Sequence, residues 1–369
     1  MYIYQHKDWP NFTWDQEKIS KILLEIRHRQ GRLIGRMEGL GFSLQTEATL
    51  QTMTLEVLKS GEIEGEKLDA DQVRSSIARR LGMDIGGLVL SDRNVEGVVE
   101  MAIDATQKFK APLTEERLFG WHAALFPAGR SGMYKIVVGT WRTNEPKDPM
   151  QVVSGAMGKE NVHFEAPEAK LLPKEMKRFL EWFESEISID AVIKAAVAHL
   201  WFVTIHPFDD GNGRMARTIA DMQLARADGI SQRFYSMSAQ IRLMRKEYYD
   251  VLEKTQKSTL NITEWLEWFL VCLSQALIAA EDTLSIVLRK SHYWEWMTTK
   301  MLNERQRLMI NKLLDGFLGK LTSSKWATIA KCSPDTALRD IQDLMEQGIL
   351  EKEQAGGRST SYKLVVLNT

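Results

Sequence analysis

Cysteine is nearly missing: Cys272 and Cys332 are the two in 369 residues, and they lie far apart in the chain. That spacing forms no metal-binding pattern and argues against a disulfide framework. An excess of charge of either sign is also missing. Lys and Arg number 48 against 49 Asp and Glu, for a net charge of -1, so there is no bulk attraction to nucleic acid or anionic lipid, and any polyanion site must be local. The segment Met1-Tyr-Ile-Tyr-Gln-His-Lys7 has no basic start followed by an apolar core, which argues against a signal peptide. The most apolar long stretch, Trp265 to Ala280, contains Glu267 and Gln275 and is short for a membrane span. Internal repeats and low-complexity tracts are absent as well. The expectation is a cytoplasmic protein without a membrane partner.

What is present is a globular composition, 44% hydrophobic and 26% charged, in a chain too long for one ordinary core. Two or three mainly helical domains are expected. Up to about Asp92 the chain reads as helices. One carries Ile19, Leu23, Leu24 and Ile26. A second runs over Thr49–Lys59 and stops near Ser60-Gly61. A third is capped around Asp69-Ala-Asp71 and carries Val73, Ile77 and Leu81. Thr114-Glu-Glu opens a further helix with acids in its first turn. Between Gly132 and Ala166 the pattern turns β-prone: Tyr134, Ile136, Val137 and Val138, then Gln151-Val-Val, Gly155, Gly158 and Val162-His-Phe164. Short strands and a hairpin closed by Pro167 are expected there. From Ala191 to Ile205 nearly every position is apolar, the mark of a helix buried inside a bundle, and Pro207 ends it near His206. Asn261-Ile-Thr-Glu264 caps another helix running toward Arg289. From Glu304 on the rhythm is helix, turn, helix, hairpin. Trp326–Ala330 is followed by Ser333-Pro as cap, by Leu338, Ile341 and Leu344, by Gly348 as stop, and by a hairpin around Ala355-Gly-Gly-Arg358. That order describes a winged helix.

The chemistry concentrates in His206-Pro-Phe-Asp-Asp-Gly-Asn-Gly-Arg-Met-Ala-Arg217. Gly211, Asn212 and Gly213 can turn the backbone so that successive N–H groups converge at the start of a second helix, expected near Arg214, and such a nest binds anions. Arg214 and Arg217, three apart, share one helix face, and each can hold phosphate oxygens with a planar fork. Asp210 is a single carboxylate beside that cradle, which suits Mg²⁺ shared with substrate phosphates. His206 is the nearby group whose ordinary pKa suits proton abstraction near neutrality. Together they are the parts for transfer of a phosphorus centre. His199, on the buried helix, is read as a hydrogen-bonded core residue.

The string resembles the motif of the Fic (filamentation induced by cAMP) family, His-x-Phe-x-(Asp/Glu)-Gly-Asn-Gly-Arg-x-x-Arg, at every specified position. The resemblance implies a mainly α fold, a Fic-type helical bundle with a small β-hairpin flap, and a C-terminal winged-helix domain. The divisions would be 1–92 regulatory, 93–300 catalytic and 301–369 winged helix. It implies protein adenylylation: His206 deprotonates a Ser, Thr or Tyr hydroxyl of a target protein, which takes AMP from ATP and expels pyrophosphate. Asp210 would hold Mg²⁺, Gly211, Asn212 and Gly213 the phosphates, and Arg214 and Arg217 the β/γ end, with Phe208 as anchor. Ser60-Gly-Glu-Ile-Glu64-Gly65 is similar to the family's inhibitory motif, in which Glu64 would pair with Arg217 and displace the γ-phosphate. The hairpin bearing Val152 and Val153 would be the flap that docks a target strand. Thr336, Arg339 and Arg358 are the winged helix's candidates for DNA contact, opposed by Asp335 and Asp343. Self-modification and a homodimer stay open. So do three other functions: a nucleotide-sensing transcription regulator, another phosphate donor, and AMP removal.

Overall fold

The computed structural model describes residues 1–83, 87–145, 147–155, 159, 161–186, 188–317, 319–353 and 360–366, leaving aside the side chains of Phe42 and Thr283. Gly158 and the turn Ala355–Arg358, Arg358 included, lie outside the described residues. The chain forms two compact units, Met1–Gly82 with Leu90–Glu281, and Met83–Val89 with Asp282–Thr369.

In the first unit the helices are α1 (Gln16–Glu38), α2 (Phe42–Ile63), α3 (Ala70–Arg80), α4 (Arg93–Gln107) and α5 (Glu115–Leu125). The hairpin β1 (Arg130–Ser131)/β2 (Tyr134–Lys135) and the hairpin β3 (Gln151–Ser154)/β4 (Asn161–Glu165) follow. Then come α6 (Leu172–Glu184), α7 (Ala191–Ile205), α8 (Asn212–Asp228), α9 (Met237–Leu243), α10 (Arg245–Gln256) and α11 (Thr263–Trp296), whose residues from Asp282 on belong to the second unit. Side-chain caps set the starts. Asp15 accepts from the Lys18 N–H, Asp69 from Gln72, Asp92 from Val95 and Thr114 from Arg117. The core is α7, whose Ala195, Ala196, Leu200 and Phe202 are fully buried, laid along α8 with Met215, Ile219, Met222 and Leu224. All-round apolarity in α7 thus reports burial on every side.

Three expectations change. The helix over 49–59 starts earlier, at Phe42, and continues through Ser60 and Gly61 to Ile63, since Ile63 is fully buried and α2 packs along α9. A mid-helix glycine costs only about 1 kcal/mol, less than burying an isoleucine returns. Of the β-prone run 134–138, only Tyr134 and Lys135 pair, because their partner strand is two residues long. Helix α11 runs past Arg289 to Trp296. By length and composition alone, the stretch Thr263–Thr299 is apolar enough to cross a bilayer. In the fold its Trp265, Leu266, Phe269, Leu270 and Leu273 are packed in the core.

The second unit holds α12 (Glu304–Leu314), α13 (Ser323–Ile329), α14 (Pro334–Glu346) and the antiparallel hairpin β5 (Leu350–Lys352)/β6 (Tyr362–Leu364). Ser333 caps α14 through the Thr336 N–H, with Pro334 in the first turn, and Gly348 at φ +73° reverses the chain after it. Trp326, Ile341, Leu344, Met309 and Ile310 form its own core.

Candidate active site

The site is built where α7 stops. His206 caps it in the left-handed conformation, φ 52° and ψ 58°, which a non-glycine residue adopts only when its surroundings hold it. Arg142, 2% exposed, supplies that hold. Its N–H donates to the Pro207 carbonyl at 2.9 Å and its Nε to the His206 carbonyl at 2.7 Å, while its other nitrogens reach Asn144 and the Pro167 carbonyl. Burial pushes this guanidinium down to about 10. The His206 ring sets its Nδ1 3.2 Å from the Val203 carbonyl. A carbonyl only accepts, so Nδ1 carries the proton and Nε2 keeps its lone pair. Burial pulls the ring's pKa from 6.5 to about 4, which leaves the imidazole neutral near pH 7.

The loop after His206 is pinned from inside. Phe208 is fully buried, stacked on His122 at 4.1 Å and packed against Phe119, Trp141 and Phe202. The Asn212 side chain bridges both main-chain groups of Phe208, accepting from its N–H at 3.0 Å and donating to its carbonyl at 2.8 Å. That commits the Asn212 Oδ1 and one Nδ2 hydrogen to the loop and leaves the backbone N–H and the second Nδ2 hydrogen as its donors. Gly211 sits at φ +81°, and a Cβ there would lie 2.9 Å from Phe126, so the turn admits no side chain. His122 accepts from the Gly139 N–H at Nδ1, so its Nε2 donates to the Asp210 carbonyl at 3.2 Å. Burial pushes His122 down to about 4. Asp209 accepts from the Val137 N–H at 2.8 Å. Asp210 is half-buried and accepts from the Ser131 hydroxyl and from the Gly211 N–H.

Helix α8 begins at Asn212, two residues before the expected start, because Gly211 already turns the chain. Gly213 and Arg214 therefore lie in its first turn, where unpaired N–H groups and the helix dipole favour an anion. Two carboxylates occupy that end. Glu64, the cap of α2, holds the Arg217 Nη1 at 2.7 Å, and Ser60 takes the Nε and Nη2 of the same guanidinium at 3.1 Å each. Glu66 holds the Arg214 Nη1 at 2.8 Å. Tyr249 donates to the second Glu64 oxygen at 3.3 Å. Burial works against the charge on Arg217, and the Glu64 carboxylate more than offsets it, so the guanidinium is held above its ordinary value. Arg214 and Arg217 are 7% and 3% exposed.

One loop thus brings His206, Phe208, Asp210, Gly211, Asn212, Gly213, Arg214 and Arg217 together, and the end of α2 brings Ser60 and Glu64 to them. Val152 and Val153 stand on β3, paired with Phe164 and Val162 of β4, with Val153 exposed. Tyr248 is core, its hydroxyl 3.2 Å from His199 Nε2. The sequence reading missed Arg142, His122, Ser131 and Glu66, and left Tyr249 out of the site. Each acts across 64 to 185 positions of chain, so no local spacing signals it; Glu66 alone lay beside a recognised motif. For Mg²⁺ the donor set fits a particular mode: one carboxylate at Asp210, with no cluster of three or more acidic, His or Cys ligands among the described residues. That is how a magnesium ion carried by a polyphosphate is held, rather than one in an all-protein cage.

Residues 112–224 match the model of the Fic/DOC family, and residues 2–83 match a domain of unknown function, DUF4172. Among curated proteins, a protein adenylyltransferase of Caenorhabditis elegans is 28% identical over 182 residues, 48% of this chain and 32% of its own length. A probable protein adenylyltransferase of Aquifex aeolicus is 27% identical over 103 residues, 28% and 30% of the two chains. The chain therefore spans about a third of the length of these relatives. A crystal structure of a Fic family protein from Desulfovibrio desulfuricans superposes with a TM-score of 0.54 at 21% identity, covering 98% of this chain and 99% of that one. A Fic domain containing signaling protein from Bacteroides thetaiotaomicron gives 0.52 at 20%, covering 70% and 96%. The last two establish a shared, mainly helical fold.

Proposed function

From the premise that residues 112–224 are a Fic/DOC-family domain, we propose that the chain is a protein adenylyltransferase restrained by its own Glu64. One observation carries this reading: a neutral imidazole whose Nε2 keeps its lone pair, the half-buried Asp210 carboxylate and two buried arginines at a helix N-terminus share the twelve-residue segment 206–217. The relatives' names support the donor as ATP and the acceptor as a protein.

In this reading the acceptor hydroxyl gives its proton to His206 Nε2 as its oxygen bonds to the α-phosphorus. The bond from that phosphorus to the bridging oxygen breaks, and pyrophosphate leaves with the electron pair. The main-chain N–H groups at Asn212 and Gly213 and the arginines take up negative charge developing on phosphate oxygens, in place before the reaction and so without reorganisation cost. Asp210 would hold Mg²⁺ against the phosphates, adding charge neutralisation when bound. Arg142 keeps the His206 carbonyl and ring oriented, a positioning task. The exposed edge of β3 at Val152 and Val153 offers an extended target segment main-chain partners. Glu64 restrains transfer by holding the guanidinium that the far phosphates would need. We further read α12–α14 with β5 and β6 as a winged helix, with Arg339 exposed on α14 as a phosphate contact.

The test is labelling of the Glu64→Gly protein with ATP carrying ³²P at either the α or the γ position. Transfer of the α label alone is expected. Transfer of the γ label would replace adenylylation by phosphorylation, and transfer of neither would shift weight to a nucleotide-sensing role.

A further inference from the structure

The end of α2 presents two carboxylates, not one. Glu64 and Glu66 are separated by Gly65 at φ +83°. The turn is closed by three main-chain bonds: Glu64 N–H to the Gly61 carbonyl at 3.0 Å, Gly65 to Glu62 at 3.2 Å, and Glu66 to Gly61 at 3.0 Å. A left-handed glycine lets the chain reverse within one residue, so the two side chains reach different guanidinium groups. Glu64 pairs with Arg217 at 2.7 Å and Glu66 with Arg214 at 2.8 Å. The approach is tight at Gly213, where a Cβ would lie 2.4 Å from a Glu64 carboxylate oxygen.

The burial is lopsided. The Arg214 and Arg217 side chains are 9% and 2% exposed, whereas Glu66 and Glu64 are 34% and 32% exposed. A carboxylate that keeps water on one side can leave at modest cost, whereas a buried guanidinium needs a replacement anion. Arg214 also carries a buried Nε with no hydrogen-bond partner among the described residues, and its guanidinium lies over the Phe126 ring at 5.0 Å. It is thus a cation with unused donor capacity facing the N-terminal end of α8.

We infer that Glu66 is the second half of the restraint: the 64–66 turn is a resident dianion that occupies both arginines in place of two phosphate groups, and displacing Glu64 alone leaves Arg214 engaged. The inference rests on the nucleotide-site reading above. ATP then competes with two carboxylates, whereas AMP, which lacks the outer phosphates, competes with neither.

The experiment measures ATP affinity in the presence of Mg²⁺, and AMP affinity, by titration calorimetry for Glu64→Gln, Glu64→Gln/Glu66→Gln and Glu64→Gln/Glu62→Gln. Glu62 sits on the same turn and pairs with Lys59 and Arg242, so its loss removes equal charge without freeing Arg214. The expected result is ATP binding about tenfold tighter on adding Glu66→Gln, the equivalent of one charge-assisted hydrogen bond. AMP binding should change less than about twofold, and Glu62→Gln should give no comparable gain. Equal ATP affinity with and without Glu66→Gln, or the same gain from Glu62→Gln, overturns the inference while leaving the nucleotide site intact. Failure of all three folded variants to bind ATP overturns both, with unchanged thermal melting as the check on folding.

Discussion

At the scale of single residues, the site depends on histidines held neutral by burial. His122, His199 and His206 sit at about 4, 3 and 4, below the ordinary 6.5. A lowered folded value means that the unfolded chain takes up the proton first as pH falls. The stabilisation is therefore complete above about 6.5 and is lost progressively toward pH 4. For the fully buried His199 the loss is about 2 kcal/mol by pH 5. Urea unfolding at pH 7 and pH 5 should accordingly show a smaller drop for His199→Gln than for the parent, and equal drops would contradict the burial argument. Phe208 tests the anchor. Removing its fully buried ring from between His122 and Trp141 should cost about 3–5 kcal/mol in the same assay and loosen the loop that presents His206. These residue-level roles were partly legible. A histidine before Pro-Phe and ahead of Gly-Asn-Gly marks itself as a candidate by its neighbours in the chain. The tautomer does not, because it is set by the Val203 carbonyl, and Arg142 does not, because its contacts with the His206 and Pro207 carbonyls bridge more than sixty positions.

At the scale of elements, caps and periodicity were readable wherever one residue decides the outcome, as at Asp69, Thr114 and Ser333. The end of α2 was misread, because its continuation through Gly61 depends on packing against α9, a tertiary effect that outweighs local propensity. The link from α8 to α9 shows another feature hidden from the sequence. Arg233, 2% exposed, holds Asp221 at 3.0 Å and Asp228 at 2.9 Å, and Tyr235 also donates to Asp228. Breaking such a group by removing its cation leaves buried carboxylates uncompensated. Arg233→Leu should therefore destabilise the first unit by about 3–5 kcal/mol, with Arg233→Lys recovering part of it. A loss under about 1 kcal/mol in chemical denaturation would show that the cluster relaxes to water.

For the molecule as a whole, the helical class was legible from the hydrophobic periodicities of α7 and α8 and of Ile341 and Leu344, whereas the division between the units falls at Asp282 rather than near residue 300. What the sequence could not convey is that Met1–Gly82 folds into the same compact unit as Leu90–Glu281. Helix propensity does not say what a helix packs against, yet that packing is what brings Glu64 and Ser60 to Arg217. The central claim, a transferase whose base is His206 and whose brake is Glu64, is tested most directly by intact mass. Purified Glu64→Gly protein is incubated with ATP and Mg²⁺ beside Glu64→Gly/His206→Ala. An AMP-sized increase in the first and none in the second is the predicted result. An equal increase in both would remove His206 from the chemistry, and an increase in the unmutated protein as large as in Glu64→Gly would remove the brake.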